Sequence, residues 1–146
     1  MMKTLILACS IAMIPETPWD LIKTVKEDNW IASSRLKDDY HIPDKGEKEW
    51  KGETVGFIAE VGSTGTDAVG RPTLFLRTRE LTDNDSYTCV LDRKEKKEVH
   101  HGEWVLIRGV VGRKLLIYST RIIFVGDSIE AVKKQFQKEL KDHKDK

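Results

Sequence analysis

Between Trp50 and Gly126 the apolar residues recur at every second position, whereas before Pro43 and after Gly126 they recur in steps of three and four. A period of two sends alternate side chains to opposite faces of a strand; steps of three and four make one stripe on a helix. The chain therefore reads as a helical segment, a strand region and a final helix. Within the strand region, residues 53–61 place Val55, Phe57, Ala59 and Val61 on one face. Gly62-Ser63-Thr64-Gly65-Thr66-Asp67 reads as a loop by composition, closed by Gly70-Arg71-Pro72. Residues 73–79 form a second strand with Leu74 and Leu76 inward and Phe75, Arg77 and Arg79 on the other face. A third strand, residues 86–91, follows the turn residues Asp83-Asn84-Asp85. Residues 93–101 are too charged for a core strand and fit a short helix or loop. Residues 103–111 and 115–125 are the fourth and fifth strands, joined by Gly112-Arg113-Lys114.

Five short strands with a break after the third match the OB-fold, a five-stranded Greek-key barrel, so the fold class is mainly β with flanking helices. Two glycines fit that plan on physical grounds. Gly102 follows a charged connector, where a positive φ is cheap only for glycine. Gly109 interrupts a strand pattern, which suggests a bulge or tight bend of the kind barrel closure requires.

The flanking segments complete the division: a leader at 1–14, an N-terminal helix and linker at 15–46, the barrel at 47–126 and a C-terminal helix at 127–146. Thr17 and Pro18 suit a helix start, with Asp20 in the first turn complementing the dipole. Ile22, Val25, Asn29, Ala32, Leu36 and Tyr40 share its apolar stripe. Asn29 on that stripe is expected to bond backbone groups of the strand region, since an unpaired buried amide costs about 1–3 kcal/mol. At the other end, Asp127 and Glu130 stand at capping-box spacing, and Ile129, Val132, Phe136 and Leu140 form a stripe expected to dock on the barrel.

Residues 4–14 are uncharged, too short to span a bilayer and suited to the core of a secretory signal, with Ser10-Ile11-Ala12 as a small-x-small cleavage site. Ile6-Leu7-Ala8-Cys9 resembles a bacterial lipobox, which makes Cys9 a candidate for lipidation. The expected address is the cell envelope or periplasm, with the cytoplasm as the alternative.

The 146 residues are 39% hydrophobic and 34% charged, the composition of one folded domain, and the formal charge of +1 supplies no overall field to draw polyanions. Any nucleic-acid site must come from local clustering. Seven of the eight arginines lie between residues 71 and 121, where eleven cations face seven anions. Two cysteines, Cys9 and Cys89, provide neither a disulfide scaffold nor a metal spacing, and His100 and His101 are adjacent and do not share a face. No nucleophile–base order stands out, so the chain reads as non-enzymatic and without a cofactor or metal.

Trp50-Lys51-Gly52-Glu53-Thr54-Val55 and His101-Gly102-Glu103-Trp104-Val105-Leu106-Ile107-Arg108-Gly109-Val110-Val111 resemble the starts of strands one and four in the tRNA-anti-like family of OB-fold proteins, many of them bacterial lipoproteins. With the preceding helix, the resemblance covers residues 17–126. It implies a binding barrel with no associated reaction.

Phe75, Arg77 and Arg79, with Tyr87 as a neighbour from strand three, combine stacking rings with phosphate-holding guanidiniums, a chemistry suited to single-stranded nucleic acid. Arg71, Arg113 and Lys114 lie in the flanking loops, where they extend the groove. Two alternatives stay open: Phe75 lies under a terminal helix while the arginines pair with strand acids such as Glu80 or Glu103, or an exported barrel uses the same face for a protein or glycan.

Overall fold

The structure, a computed structural model, describes residues 16–40, 42, 44–77, 86–113 and 115–144. Cys9, Arg79 and Lys114 therefore lie outside the described residues. Five strands form a closed ring: β1 (Thr54–Thr66), β2 (Pro72–Arg77), β3 (Ser86–Leu91), β4 (Trp104–Arg113) and β5 (Leu116–Gly126). Their order around the ring is β1-β2-β3-β5-β4, with β3 and β5 parallel and every other neighbour antiparallel. This is the Greek-key barrel of an OB-fold.

The first strand is longer than its composition suggests. Residues 62–66, expected as a loop, continue β1, because Ser63 to Thr66 pair with Phe75 to Pro72. Residues 54–60 pair with β4 and residues 60–66 with β2, so Glu60 is shared by both ladders. A register shift between Val61 and Ser63 bends the strand at Gly62, whose missing side chain leaves room for the Arg77 side chain. Gly109 stands at a second irregularity. Between the pairs Arg108↔Arg121 and Val110↔Tyr118, β5 carries one extra residue, and Ser119 takes a positive φ of 51°. A side chain at Gly109 would collide with Ile117 Cγ2 and approach Tyr118 O to 3.0 Å. Gly102 has the expected positive φ, 89°.

Inside the ring, Val55, Phe57, Val61, Leu76, Val105 and Ile107 are buried, with Val99 of the β3–β4 connector completing the cluster. That connector forms no helix.

The N-terminal segment is not one helix. It breaks into α1 (Pro18–Ile22), a 3-10 turn at Glu27–Asn29, α2 (Arg35–Tyr40) and α3 (Lys45–Glu49). α1 begins with the Thr17 and Asp20 pair: Thr17 Oγ1 accepts the Asp20 N–H at 3.2 Å, and Asp20 accepts the Thr17 N–H at 3.0 Å. It stops because the Thr24 hydroxyl donates to the Leu21 carbonyl at 2.6 Å and Lys26 is extended. The buried positions Ile22, Val25 and Leu36 survive the breaks, whereas Ala32 is exposed. Asn29 Nδ2 donates to Thr54 O at 2.9 Å, the backbone partner its position demanded. The Asp39 carboxylate, 4% exposed, accepts from Trp50 Nε1 at 2.7 Å and Arg35 Nε at 2.9 Å, with Lys45 Nζ at 3.2 Å.

The last helix, α4 (Ile129–Lys144), is capped by Ser128, whose Oγ accepts the Ala131 N–H at 3.1 Å, in place of the expected Asp127. Val132, Phe136 and Leu140 pack with Leu21 and Ile22 of α1 on Leu106, Ile123 and Phe124. The helix therefore docks on its own barrel. It covers the outer face of β4 and the second half of β5.

Candidate functional site

The outer surface of β2, β3 and the first half of β5 is built by register. Phe75, Thr88 and Leu116 form one row across the three strands, since Phe75 pairs with Thr88 and Thr88 with Leu116. Thr73 pairs with Val90 in the adjacent row, and Tyr118 follows Leu116 on the same face of β5. With strands about 4.8 Å apart and a rise of about 3.3 Å per residue, Phe75 and Tyr118 stand roughly 12 Å apart on this face. Both rings are half-buried. Each leans on a glycine: a side chain at Gly65 would come within 3.3 Å of the Phe75 ring, and one at Gly112 would collide with the Tyr118 ring. Each ring therefore lies along its sheet instead of standing free. α1 and α4 pack elsewhere, on β1, β4 and β5.

Tyr87 is not part of this face. Its strand pairs it with the inward Leu76, so its ring is fully buried beside Phe57 and its hydroxyl donates to Ser33 O. A phenol at that position serves the core, and Thr88 takes the outward position the sequence reading gave to Tyr87.

The cations differ in their freedom. Arg77 projects from the face and meets Glu60 across the β1–β2 ladder at 3.4 Å, a half-exposed pair of little energetic weight. Arg71 Nε donates to Asp67 Oδ2 at 2.7 Å. Asp67 also accepts the Arg71 and Val69 N–H groups, at 2.8 and 3.0 Å. The Arg71 backbone N–H first, then the guanidinium and the Val69 N–H, hold the Asp67 carboxyl below the usual range despite the opposing desolvation. Arg113 is exposed and has no ion pair among the described residues.

Three further residues join this surface that the sequence reading did not assign to it. Tyr118, Arg93 and Lys94 line an open hollow of about 410 Å³ together with Arg71, Val90, Leu91, Asp92 and Ser119. Arg93 and Lys94 sit in the turn after β3, where charge alone suggested a solvated connector. Tyr118 follows the outward row of the fifth strand, but its place beside Val90 in this hollow depends on the parallel β3–β5 register, which no local pattern announces.

The remaining strand arginines belong to the covered side. Arg108 and Arg121 are direct partners on β4 and β5. Arg121, buried, bonds Glu95 at 2.9 Å and Glu16 at 3.2 Å; burial opposes its charge, and these carboxylates outweigh it and raise its pKa. Burial and Arg121 lower the pKa of Arg108. The arginine clustering seen along the chain thus divides between two surfaces.

Among the described residues no group of His, Cys, Asp and Glu is placed to hold a metal ion. No helix among them is long and apolar enough to cross a membrane.

No protein-family description matches the chain, and no curated protein matches it. Solved structures of similar shape include two from Saccharomyces pombe. The telomere capping protein Ten1 from Saccharomyces pombe gives a TM-score of 0.44 at 13% identity, over 81% of this chain and 98% of that one. The S. pombe Stn1–Ten1 complex gives 0.42 at 14%, over 80% of this chain and 91% of that one. The barrel assignment stands on the ring of strands and takes nothing from either likeness.

Proposed function

We propose that the barrel is a non-enzymatic binding module for single-stranded nucleic acid, held on the outer surface of β2, β3 and β5. The observation that supports this reading is the pair of sheet-lying rings, Phe75 and Tyr118, bordered by Arg71, Arg77 and Arg113 on a surface that α1 and α4 leave uncovered. Bases stack on such rings regardless of sequence, and guanidiniums hold the backbone between them. The five cations Arg71, Arg77, Arg93, Lys94 and Arg113 face the acids Glu60, Asp67 and Asp92, a local excess that the near-neutral whole chain conceals.

The test is fluorescence anisotropy with a labelled oligothymidylate across a salt series. Each phosphate contact contributes about −0.7 to the slope of log affinity against log salt, so three or four contacts give a slope of about −2 to −3. Phe75→Ala removes about 1–3 kcal/mol of binding. Arg77→Ala combined with Arg113→Ala flattens the salt slope. No binding at low salt, or binding indifferent to all three substitutions, overturns the proposal.

The membership suggested by the tRNA-anti-like resemblance and the envelope address are also kept as proposals. The lipobox-like Ile6-Leu7-Ala8-Cys9 supports the address, and mass spectrometry of the N-terminal peptide of the protein from cells tests it. An intact Met1 refutes cleavage and lipidation together.

A further inference from the structure

The hollow beside Tyr118 has a chemistry of its own. It is lined by Val90 and Leu91 at the end of β3, Arg71 from the β1–β2 turn, Arg93 and Lys94 from the turn after β3, and Tyr118 with Ser119 from β5. The turn after β3 is pinned from both sides. Asp92 Oδ1 accepts the Lys94 N–H at 2.9 Å, the Asp92 N–H donates to Thr120 O at 3.0 Å, and the Glu95 N–H donates to Asp92 O at 3.0 Å. Arg93 and Lys94 are exposed and form no ion pair among the described residues. Arg71 spends only its Nε on Asp67, which leaves its two terminal nitrogens as donors. Asp92 is the one acid in the lining, and one of its oxygens is occupied by the Lys94 backbone. Three cations and one carboxylate give the lining a surplus of two positive charges, one of which Arg71 shares with Asp67 just outside it.

An internal phosphodiester carries one negative charge, whereas a terminal phosphate monoester approaches two at neutral pH, because its second pKa is near 6. The volume, about 410 Å³, lies in the range of small-ligand sites. Tyr118, its ring fixed across Gly112, supplies a stacking wall for one base beside the cations. We infer that this hollow receives the phosphorylated end of a single strand: the terminal base lies on Tyr118, and the terminal phosphate lies among Arg71, Arg93 and Lys94. This rests on the single-strand reading above and sharpens it from a sequence-tolerant surface to one that senses strand ends.

The experiment compares three oligothymidylates of equal length by anisotropy: one with a 5′-phosphate, one with a 3′-phosphate and one with hydroxyls at both ends, each labelled away from the end tested. One phosphorylated form is expected to bind about tenfold more tightly than the hydroxyl form, the effect of one added charge-assisted contact. In Arg93→Ala combined with Lys94→Ala, that ratio falls toward one. Both side chains are exposed, so an unchanged thermal melt verifies folding. Which phosphorylated form binds more tightly identifies the end that enters. Equal binding of all three oligonucleotides by the native protein overturns the end-sensing inference and leaves the binding surface standing. A phosphate preference that survives the double substitution also overturns it, because the cations named here would not be its source. Failure of all three to bind at low salt overturns the single-strand reading itself, and this inference with it.

Discussion

Replacing Asp39 by asparagine isolates one buried charge with little change of shape. The Asp39 side chain is 6% accessible and its carboxylate accepts from Trp50 Nε1 at 2.7 Å, an indole that is itself buried. Its other partners, Arg35 and Lys45, are more exposed, with side chains 51% and 35% accessible, so solvent screens their contribution. The amide oxygen introduced by Asp39→Asn still accepts from the indole, so what is lost is the difference between a charged and a neutral acceptor, about 1–1.5 kcal/mol, and the two screened pairs, which add at most about 1 kcal/mol together. Asp39→Asn is therefore expected to cost about 1–2 kcal/mol at pH 7. Burial works to raise the Asp39 pKa, but the bonds from Trp50, Arg35 and Lys45 outweigh it and leave the pKa below the ordinary value of 3.8. With a depressed folded-state pKa, the stabilisation is fully present above the unfolded value and is lost as pH falls through the folded one. Urea unfolding of both proteins from pH 7 to pH 2 should show a constant gap down to about pH 4 that then closes. Because Asp20 and Asp67 also titrate low in both proteins, the difference curve is the informative quantity. A gap below about 0.5 kcal/mol at pH 7, or one that persists undiminished to pH 2, refutes the argument.

Two other outcomes follow from the strands. Gly109→Ala meets Ile117 and the Tyr118 carbonyl and is expected to cost about 1–3 kcal/mol in urea unfolding, more than Gly102→Ala, where the space is open and only the positive φ is strained; equal costs refute the steric account. Cys89 is fully buried and burial pushes its thiol far above the ordinary range, so iodoacetamide at pH 8 should leave it unmodified until denaturant is added. Prompt alkylation of Cys89 in the folded protein would contradict the closed barrel.

The alternation of Val55, Phe57, Ala59 and Val61 made the first strand legible because one of its faces is buried, and the same holds for Leu74 and Leu76 in the second. Legibility stopped where that condition stopped. Residues 63–66 are exposed, so their polar, glycine-containing run carries no alternation although they pair fully with β2. The N-terminal stripe reads as one helix because consecutive short turns that face the same barrel reproduce the three and four residue steps. Within the site, the outward aim of Phe75 and Arg77 followed from the inward leucines beside them. Tyr87 was misplaced because a two-residue period fixes the two faces of a strand but not which one meets Leu76 across the ladder. Tyr118 and the Arg93-Lys94 turn become neighbours only through the parallel β3–β5 ladder, whose partners are set by topology.

Apart from a single bridge from Gly56 to Trp30, the first half of β1 pairs with β4, so that ladder has no partner until the chain has been synthesised well past residue 110. An emerging polypeptide can form the β1–β2 hairpin on its own, but the apolar face of residues 54–60 waits on the ribosome for a strand encoded far downstream. Such non-local pairing places folding in the slow, millisecond-to-second range of small domains, and it makes this waiting strand the segment most dependent on protection from premature self-association.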